Sequence, residues 1–256
     1  MSEHMLIDPQ DGILRIQFNR PEKKNAITLA MYTALTEAIK KADTDDSIRV
    51  IFITGTEDCF TAGNDLTDFM KTPATDTSAP VFVFMKTISQ AEKPIVAAVN
   101  GLAIGIGTTM LLHCDLVYAG ESTLFQLPFI KLGICPELGS TLILPQMAGY
   151  QRAAELLLLG EFFDAKTARE IGFVNTICTD TEVYDVALVS AQELAAQAPT
   201  ALRVTKSLMK RPTTPVIDET IDEEINQLIR LLDGPEAKEA LTAFKERRKP
   251  DFSQFK

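Results

Sequence analysis

The chain has 256 residues, 46% of them hydrophobic and 23% charged, a balance typical of folded domains and far from that of disordered chains. Its 25 Lys and Arg stand against 35 Asp and Glu, a formal charge of −10, which argues against a broad positive footprint for nucleic acid. Four scattered cysteines without a C-x-x-C pair, with His4 and His113 as the histidines, argue against a disulfide framework and a zinc cluster.

The first segment, MSEHMLIDPQDG, lacks a basic stretch followed by an apolar one, and no apolar run reaches about 18 residues. Neither export nor membrane insertion is expected. The chain ends SQFK rather than with the S-K-L address, so a cytoplasmic location is expected. Residues 13–19 (ILRIQFN) alternate apolar with polar and predict a strand, ended by Arg20-Pro21. Over 28–42 the apolar positions recur at helical spacing behind Thr28, a candidate N-cap. The runs 49–54 (RVIFIT) and 94–99 (PIVAAV) are nearly continuous in apolar residues, as buried parallel strands are.

Between those two runs lies an expected helix over 81–90, preceded by a loop at 71–80 (KTPATDTSAP). A helix-like run from 101 to 113 and a third buried strand at 115–119 (DLVYA) follow. The alternation predicts an α/β fold with a parallel sheet and helical crossovers. Beyond Asp164 the segments 164–172, 182–198, 199–210, 216–232 and 235–248 all read as helical. Residues 1–198 are therefore expected to form the core and 199–256 a C-terminal helical region.

Two glycine-containing segments follow buried strands: 59–66 (CFTAGNDL) and 100–107 (NGLAIGIG). Turns of this kind can present backbone N–H groups to a ligand, and Gly63, Gly105 and Gly107 permit sharp bends or close approach. Taken singly, each segment is equally well a tight strand-to-helix turn. Arg20, Lys23 and Lys24 make a local basic patch in an acidic chain, able to meet phosphates or simply solvated.

In order and spacing, the two segments resemble the F-x-A-G-x-D-L and N-G-x-A-x-G-x-G turns of the crotonase (enoyl-CoA hydratase/isomerase) superfamily. The resemblance extends to Asn19-Arg20-Pro21 with Lys24-Asn25-Ala26, to Cys114-Asp115 through Ala119 with Phe125, to Leu132-Gly133 with Pro136, and to 165–175 (AKTAREIGFVN). It implies a spiral of β-β-α units with a parallel sheet and a C-terminal helical region serving oligomerisation and active-site closure. It also implies trimers or dimers of trimers, and an acyl-CoA thioester substrate that brings its own coenzyme A, with no further cofactor and no metal.

Position by position, the resemblance places the donors to the thioester oxygen on the N–H groups of Asn64 and Ile106. Ile106 departs from the glycine usual there. Ala62, Gly63, Asp65, Leu66, Gly105, Gly107 and Phe129 fall around the substrate, and Phe244 and Arg247 near the CoA adenosine of a neighbouring subunit. The two glutamates of the family's hydratases correspond to Thr109 and Phe129, neither able to act as a carboxylate base. Glu137, in the run 132–140 (LGICPELGS), falls where several of the family's isomerases carry a single catalytic glutamate, although its spacing alone suits a solvated loop acid. Gly63-Asn64-Asp65-Leu66 together with Pro136-Glu137 resembles the peroxisomal-type Δ3,Δ2-enoyl-CoA isomerases in particular. The expectation is an isomerase, with a hydratase or another CoA thioester enzyme as runner-up and a non-catalytic CoA-binding module as the reading from another class. A dinucleotide-binding oxidoreductase fits poorly, since Met110 replaces the third glycine after Gly105-Ile106-Gly107. A serine hydrolase would need a G-x-S-x-G and a Ser/His pair that the sequence does not offer.

Overall fold

Strand order carries the architecture. The computed structural model describes residues 3–72 and 74–255. Its main sheet runs β1 (Met5–Gln10), β2 (Ile13–Phe18), β3 (Val50–Thr54), β4 (Ile95–Val99), β6 (Leu116–Gly120) and β9 (Thr176–Cys178). A smaller sheet holds β5 (Leu102–Ile104), β7 (Leu124–Gln126) and β8 (Phe162–Asp164). β1 pairs antiparallel with β2, and from β2 to β9 every pairing of the main sheet is parallel. The helices are α1 (Leu29–Thr44), α2 (Leu66–Lys71), α3 (Pro80–Ser89), α4 (Ile106–Thr109), α5 (Ser140–Ala148), α6 (Tyr150–Ala154), α7 (Ala165–Ile171), α8 (Val183–Ala195), α9 (Pro199–Lys210), α10 (Thr214–Leu232) and α11 (Pro235–Glu246).

β3 and β4 are buried along their whole lengths because both faces are covered. Val50, Phe52, Val96 and Ala98 pack with Val183, Ala187 and Ala191 of α8. The alternate residues Ile51, Ile53, Ile95 and Ala97 belong to the larger core with Leu35 and Ile39 of α1 and Phe84 and Ile88 of α3. Thr28 caps α1 as its position predicts, its hydroxyl accepting from the Met31 N–H at 3.3 Å.

A stack of short turns runs beside the main sheet and carries the site. Ile27 N–H donates to Gly63 O and Asp65 N–H to Ile27 O, Ile104 N–H donates to Thr61 O, and Gly105 N–H donates to Gln126 O. Residues 27, 61–64, 103–105 and 126 are thus successive rungs of one ladder. The C-terminal helices are tied back to the core by Lys206 of α9. Its buried ammonium donates to Lys93 O and to Asp115 Oδ2, each at 2.7 Å, and Asp115 Oδ2 also accepts from the N–H of Ile95 at the start of β4.

The run 101–113 is not one helix. It divides into β5, α4 and a 3₁₀ turn at Met110–His113. The cause is Gly105, at φ 57° and ψ −119°, a conformation essentially confined to glycine, which turns the chain out of β5 before α4 begins. In the expected loop 71–80, α2 ends at Lys71, Pro73 lies outside the described residues, and α3 starts at Pro80.

Candidate active site

Asn25 anchors the first wall of the site, because its buried polar groups must be paired within the fold. Asn25 is fully buried, and its amide nitrogen donates to Cys59 O at 2.7 Å and Phe60 O at 3.2 Å, while its oxygen accepts from Arg20 N–H at 2.8 Å. The N-R-P…N-A stretch therefore clamps the first glycine turn from behind. Arg20 completes the clamp, donating to Asp65 Oδ2 at 2.6 Å and to Ala26 O at 3.0 Å. Asp65 in turn caps α2 through the Thr67 and Asp68 N–H groups. Burial pushes the Asp65 carboxyl up, but the Arg20 guanidinium and the helix N–H donors outweigh it and hold the carboxyl below its ordinary range.

This corrects one sequence expectation. Arg20 does not join the exposed basic patch: its side chain is 14% exposed and committed to Asp65. Lys23 and Lys24 remain exposed at the rim of a cleft of about 710 Å³. Ala62, Gly63, Asn64, Asp65 and Leu66 form one wall of that cleft, and Gly105, Ile106 and Phe129 form another. Val81, Phe82 and Met85 of α3 and Leu228 and Leu232 of α10 supply an apolar interior. Phe244, 57% exposed on α11, stands among the lining residues.

Gly107 and Arg247 lie outside this lining. A Cβ at Gly107 would meet the Thr61 methyl at 2.5 Å, so the residue serves the packing of α4 against the first turn. Arg247 is exposed and closes α11 at φ 56°. The stack also explains Gly63, where a Cβ would approach Ile104 O to 2.7 Å.

The N–H groups of Asn64 and Ile106 find no acceptor among the described residues, although their neighbours Gly63, Asp65 and Gly105 all do. Unmade donors in adjoining walls of a cleft are available to a ligand oxygen. The Asn64 side chain is held by Tyr32, whose hydroxyl donates to Asn64 Oδ1 at 2.5 Å. Tyr32 is buried, and burial first, then the charge of Glu137, raises its hydroxyl pKa well above the ordinary value.

Glu137 lines the same cleft at 2% exposure. Thr109, at the end of α4, donates its hydroxyl to Glu137 Oε1 at 2.5 Å, and Oε2 has no partner among the described residues. Burial pushes the carboxyl up to about 8; the Thr109 hydrogen bond opposes this and the nearby Glu224 adds to it. The loop behind it is fixed by two left-handed residues, Leu138 at φ 59° and Gly139 at φ 72°. His113 Nε2 donates to Leu138 O at 2.8 Å. Burial lowers the His113 pKa to about 4, so at neutral pH it is an uncharged ring with its proton on the nitrogen facing the carbonyl.

Glu224 of α10 supplies the other anchor. It accepts from Gly139 N–H at 2.6 Å, Thr141 N–H at 3.1 Å and Thr141 Oγ1 at 2.5 Å. Two buried acids thus behave differently: Glu224 is fully engaged in holding the loop, whereas Glu137 keeps a free oxygen. Sequence reading missed Glu224, Tyr32 and the Thr109 contact. Glu224 had a signal, since it falls on the buried face of α10 with Ile221, Ile225 and Leu228, where an acid needs a partner. The Tyr32 and Thr109 contacts join residues 32 and 28 positions apart and leave no mark in a single sequence. Among the described residues, no cluster of three or more His, Cys, Asp or Glu side chains is placed to hold a metal ion.

A parallel-sheet spiral with free N–H groups on adjoining turns over an apolar cleft defines a crotonase-fold protein. The profile of the family described as "Enoyl-CoA hydratase/isomerase" matches residues 8–255, and the chain belongs to that family of CoA thioester enzymes. It is 33% identical over 260 residues to "1,2-epoxyphenylacetyl-CoA isomerase" of Escherichia coli (strain K12), covering 99% of each chain. It is 35% identical over 233 residues to "Enoyl-CoA delta isomerase 2" of Rattus norvegicus, covering 89% of this chain and 59% of the rat protein. It is also 34% identical to "2,3-dehydroadipyl-CoA hydratase" of the same E. coli strain, covering 98% and 99% of the two chains. Among solved structures, that of Pseudomonas aeruginosa OdaA superposes with a TM-score of 0.93 at 43% identity, covering 95% of this chain and 99% of that one.

Proposed function

We propose that the protein is an enoyl-CoA isomerase that moves a double bond from the 3 to the 2 position of an acyl-CoA thioester. The observation that carries this reading is Glu137, a buried carboxylate in the cleft with one unpartnered oxygen; by the family resemblance, the two hydratase glutamates correspond to Thr109 and Phe129, which cannot serve as carboxylate bases. Hydration needs a carboxylate to activate water and usually a second acid for the proton at C2, whereas a double-bond shift needs one base that takes a proton and gives it back.

In the proposed reaction, ionised Glu137 removes a proton from C2. The electron pair delocalises into the thioester, forming a dienolate whose oxygen accepts from the N–H groups of Asn64 and Ile106. Glu137 then returns the proton to C4, the C2=C3 bond forms, and both the thioester carbonyl and the carboxylate are restored. Lys23 and Lys24 are suited to the CoA phosphates and Phe244 to its adenine, while α3 and α10 enclose the acyl chain in apolar surface. Exposed Val204, Leu208 and Met209 on α9 support assembly through the C-terminal helices as trimers or dimers of trimers, measurable by sedimentation.

The deciding experiment is a product assay with 3-enoyl-CoA and 2-enoyl-CoA esters of several chain lengths. Isomerisation should exceed hydration by orders of magnitude, and Glu137→Gln should lower it by roughly 10² or more without loss of CoA binding. Efficient hydration with negligible isomerisation overturns the assignment.

A further inference from the structure

We infer that Thr109 is a positioning residue for the Glu137 carboxylate, fixing Oε1 so that Oε2 alone is left to exchange a proton with substrate. The inference rests on the isomerase reading for its kinetic consequences and on geometry alone for the contact. Thr109 is fully buried, Glu137 is 2% exposed, and the hydroxyl donates to Oε1 at 2.5 Å. A serine, threonine or tyrosine hydroxyl has a single proton to donate, so this bond is the whole of what Thr109 can give. Oε2 is buried without a partner. The two oxygens are therefore inequivalent before any substrate arrives.

The same hydroxyl links the base to the thioester end of the cleft. Thr109 and Ile106 are the last and first residues of α4, three positions apart and so on one face of a single helical turn. Ile106 contributes a free N–H, and Thr109 grips the carboxylate. α4 is itself held in place: Thr108 and Thr109 N–H donate to Gly105 O, and the Thr108 hydroxyl donates to Ala103 O at 2.5 Å. One rigid turn thus sets the spacing between the donor to the thioester oxygen and the base, which is the quantity that proton transfer at C2 and C4 depends on. A residue at a position that the hydratases fill with an acid is used here to orient an acid supplied by the 137–139 loop.

The test compares Thr109→Val, which keeps the shape and removes the hydroxyl, with Thr109→Ser, which keeps the hydroxyl. Two readouts are taken: steady-state kinetics on a 3-enoyl-CoA, and the Glu137 carboxyl titration in ligand-free enzyme by difference infrared spectroscopy against Glu137→Gln. Thr109→Val should lower kcat by about tenfold or more with KM changed less than about twofold, because the lost bond orients the base rather than binds substrate. It should also move the carboxyl midpoint and the acidic limb of kcat/KM upward by about one pH unit or more, since the bond favours the ionised form. Thr109→Ser should recover both to within about threefold and a few tenths of a pH unit. Wild-type kinetics and midpoint in Thr109→Val overturn the inference, as does a Thr109→Ser enzyme as impaired as Thr109→Val, which would mark a packing role. A midpoint that moves in Thr109→Val and returns in Thr109→Ser upholds the positioning role even if no variant isomerises 3-enoyl-CoA, the result that would refute the isomerase reading instead.

Discussion

Replacing Glu137 by Gln should stabilise the protein at alkaline pH while disabling it. The carboxyl is pushed from 4.5 to about 8, chiefly by burial. Each pH unit between those values corresponds to about 1.36 kcal/mol, so ionising Glu137 in the native state is unfavourable by about 5 kcal/mol relative to the unfolded chain. The sign follows from which state holds the proton. Below about pH 4.5 both states are protonated and the stability is intact. Between 4.5 and 8 the unfolded chain ionises while the native protein keeps its proton, and stability falls as pH rises; above about 8 the loss is complete. Gln carries no titrating proton, so it removes the slope. It also introduces an amide NH₂ facing the site that now holds the unpartnered Oε2, at a cost of about 1–2 kcal/mol that is independent of pH. The difference in unfolding free energy, variant minus wild type, should therefore be slightly negative at pH 5 and rise to about 3–4 kcal/mol by pH 9. His113 also titrates abnormally but does so in both proteins and cancels, whereas the part of the Glu137 shift that comes from Glu224 is lost together with the Glu137 charge. The assay is urea unfolding of the two proteins at pH 5, 7 and 9, at one protein concentration so that any assembly contributes equally. A difference that stays flat across that range would refute the buried, underbonded state assigned to Glu137.

Three further outcomes follow from the same geometry. The pH dependence of kcat/KM for isomerisation should rise through about pH 8 and then level off, because the base must be ionised and at pH 7 only about one molecule in ten of the free enzyme has it so; a profile flat from 6 to 9 contradicts this. Gly105→Ala forces an L-residue into φ 57°, ψ −119°, which costs about 1–3 kcal/mol or displaces the Ile106 N–H, so kcat should drop by about 10² in protein that still folds by circular dichroism. Tyr32→Phe removes the 2.5 Å contact to the partly buried Asn64 Oδ1, so both kcat and the melting temperature should fall, by an amount matching about 0.5–1.5 kcal/mol in calorimetry and kinetics.

Much of the fold was legible because the apolar pattern carries it. Runs such as VIFIT and IVAAV have no polar position, so they must be covered on both faces, and α8 on one side with α1 and α3 on the other do the covering. The strands β7, β8 and β9, three residues each, were missed because so short a segment has no measurable period and owes its conformation to the ladder it joins. β1 was missed for another reason: its register with β2 is regular, yet most of its residues are partly or fully exposed and it contains Pro9, as suits an edge strand. The run 101–113 misled because helical spacing of apolar residues cannot reveal the turn that Gly105 imposes. In the site, the resemblance picked out Asn64, Ile106 and Glu137, and these three share one cleft. The reading of charge grouped Arg20 with Lys23 and Lys24, which look alike in sequence. Only the partner distinguishes them, and Asp65 lies 45 residues away.

The site joins two structural regimes, and that division bears on how one fold serves several reactions. The free N–H groups of Asn64 and Ile106 belong to the stacked turns, where the bonds around them are ladder bonds of the spiral; altering them would disturb the sheet itself. The carboxylate belongs to a loop outside the ladder, held from α10 by Glu224 and from the 3₁₀ turn by His113. A base on such a loop can be gained, lost or moved while the donors stay in place. Thr109 and Phe129 adjoin the turns at 105 and 126, Thr109 as the partner of the Glu137 carboxyl and Phe129 as an apolar wall of the cleft. The three bonds on Glu224 are what let the loop bear a carboxylate as poorly satisfied as Glu137, since a looser loop would relieve the burial by swinging the acid toward water. Glu224 thus holds the loop, and Glu137 is the acid that the loop presents to the cleft.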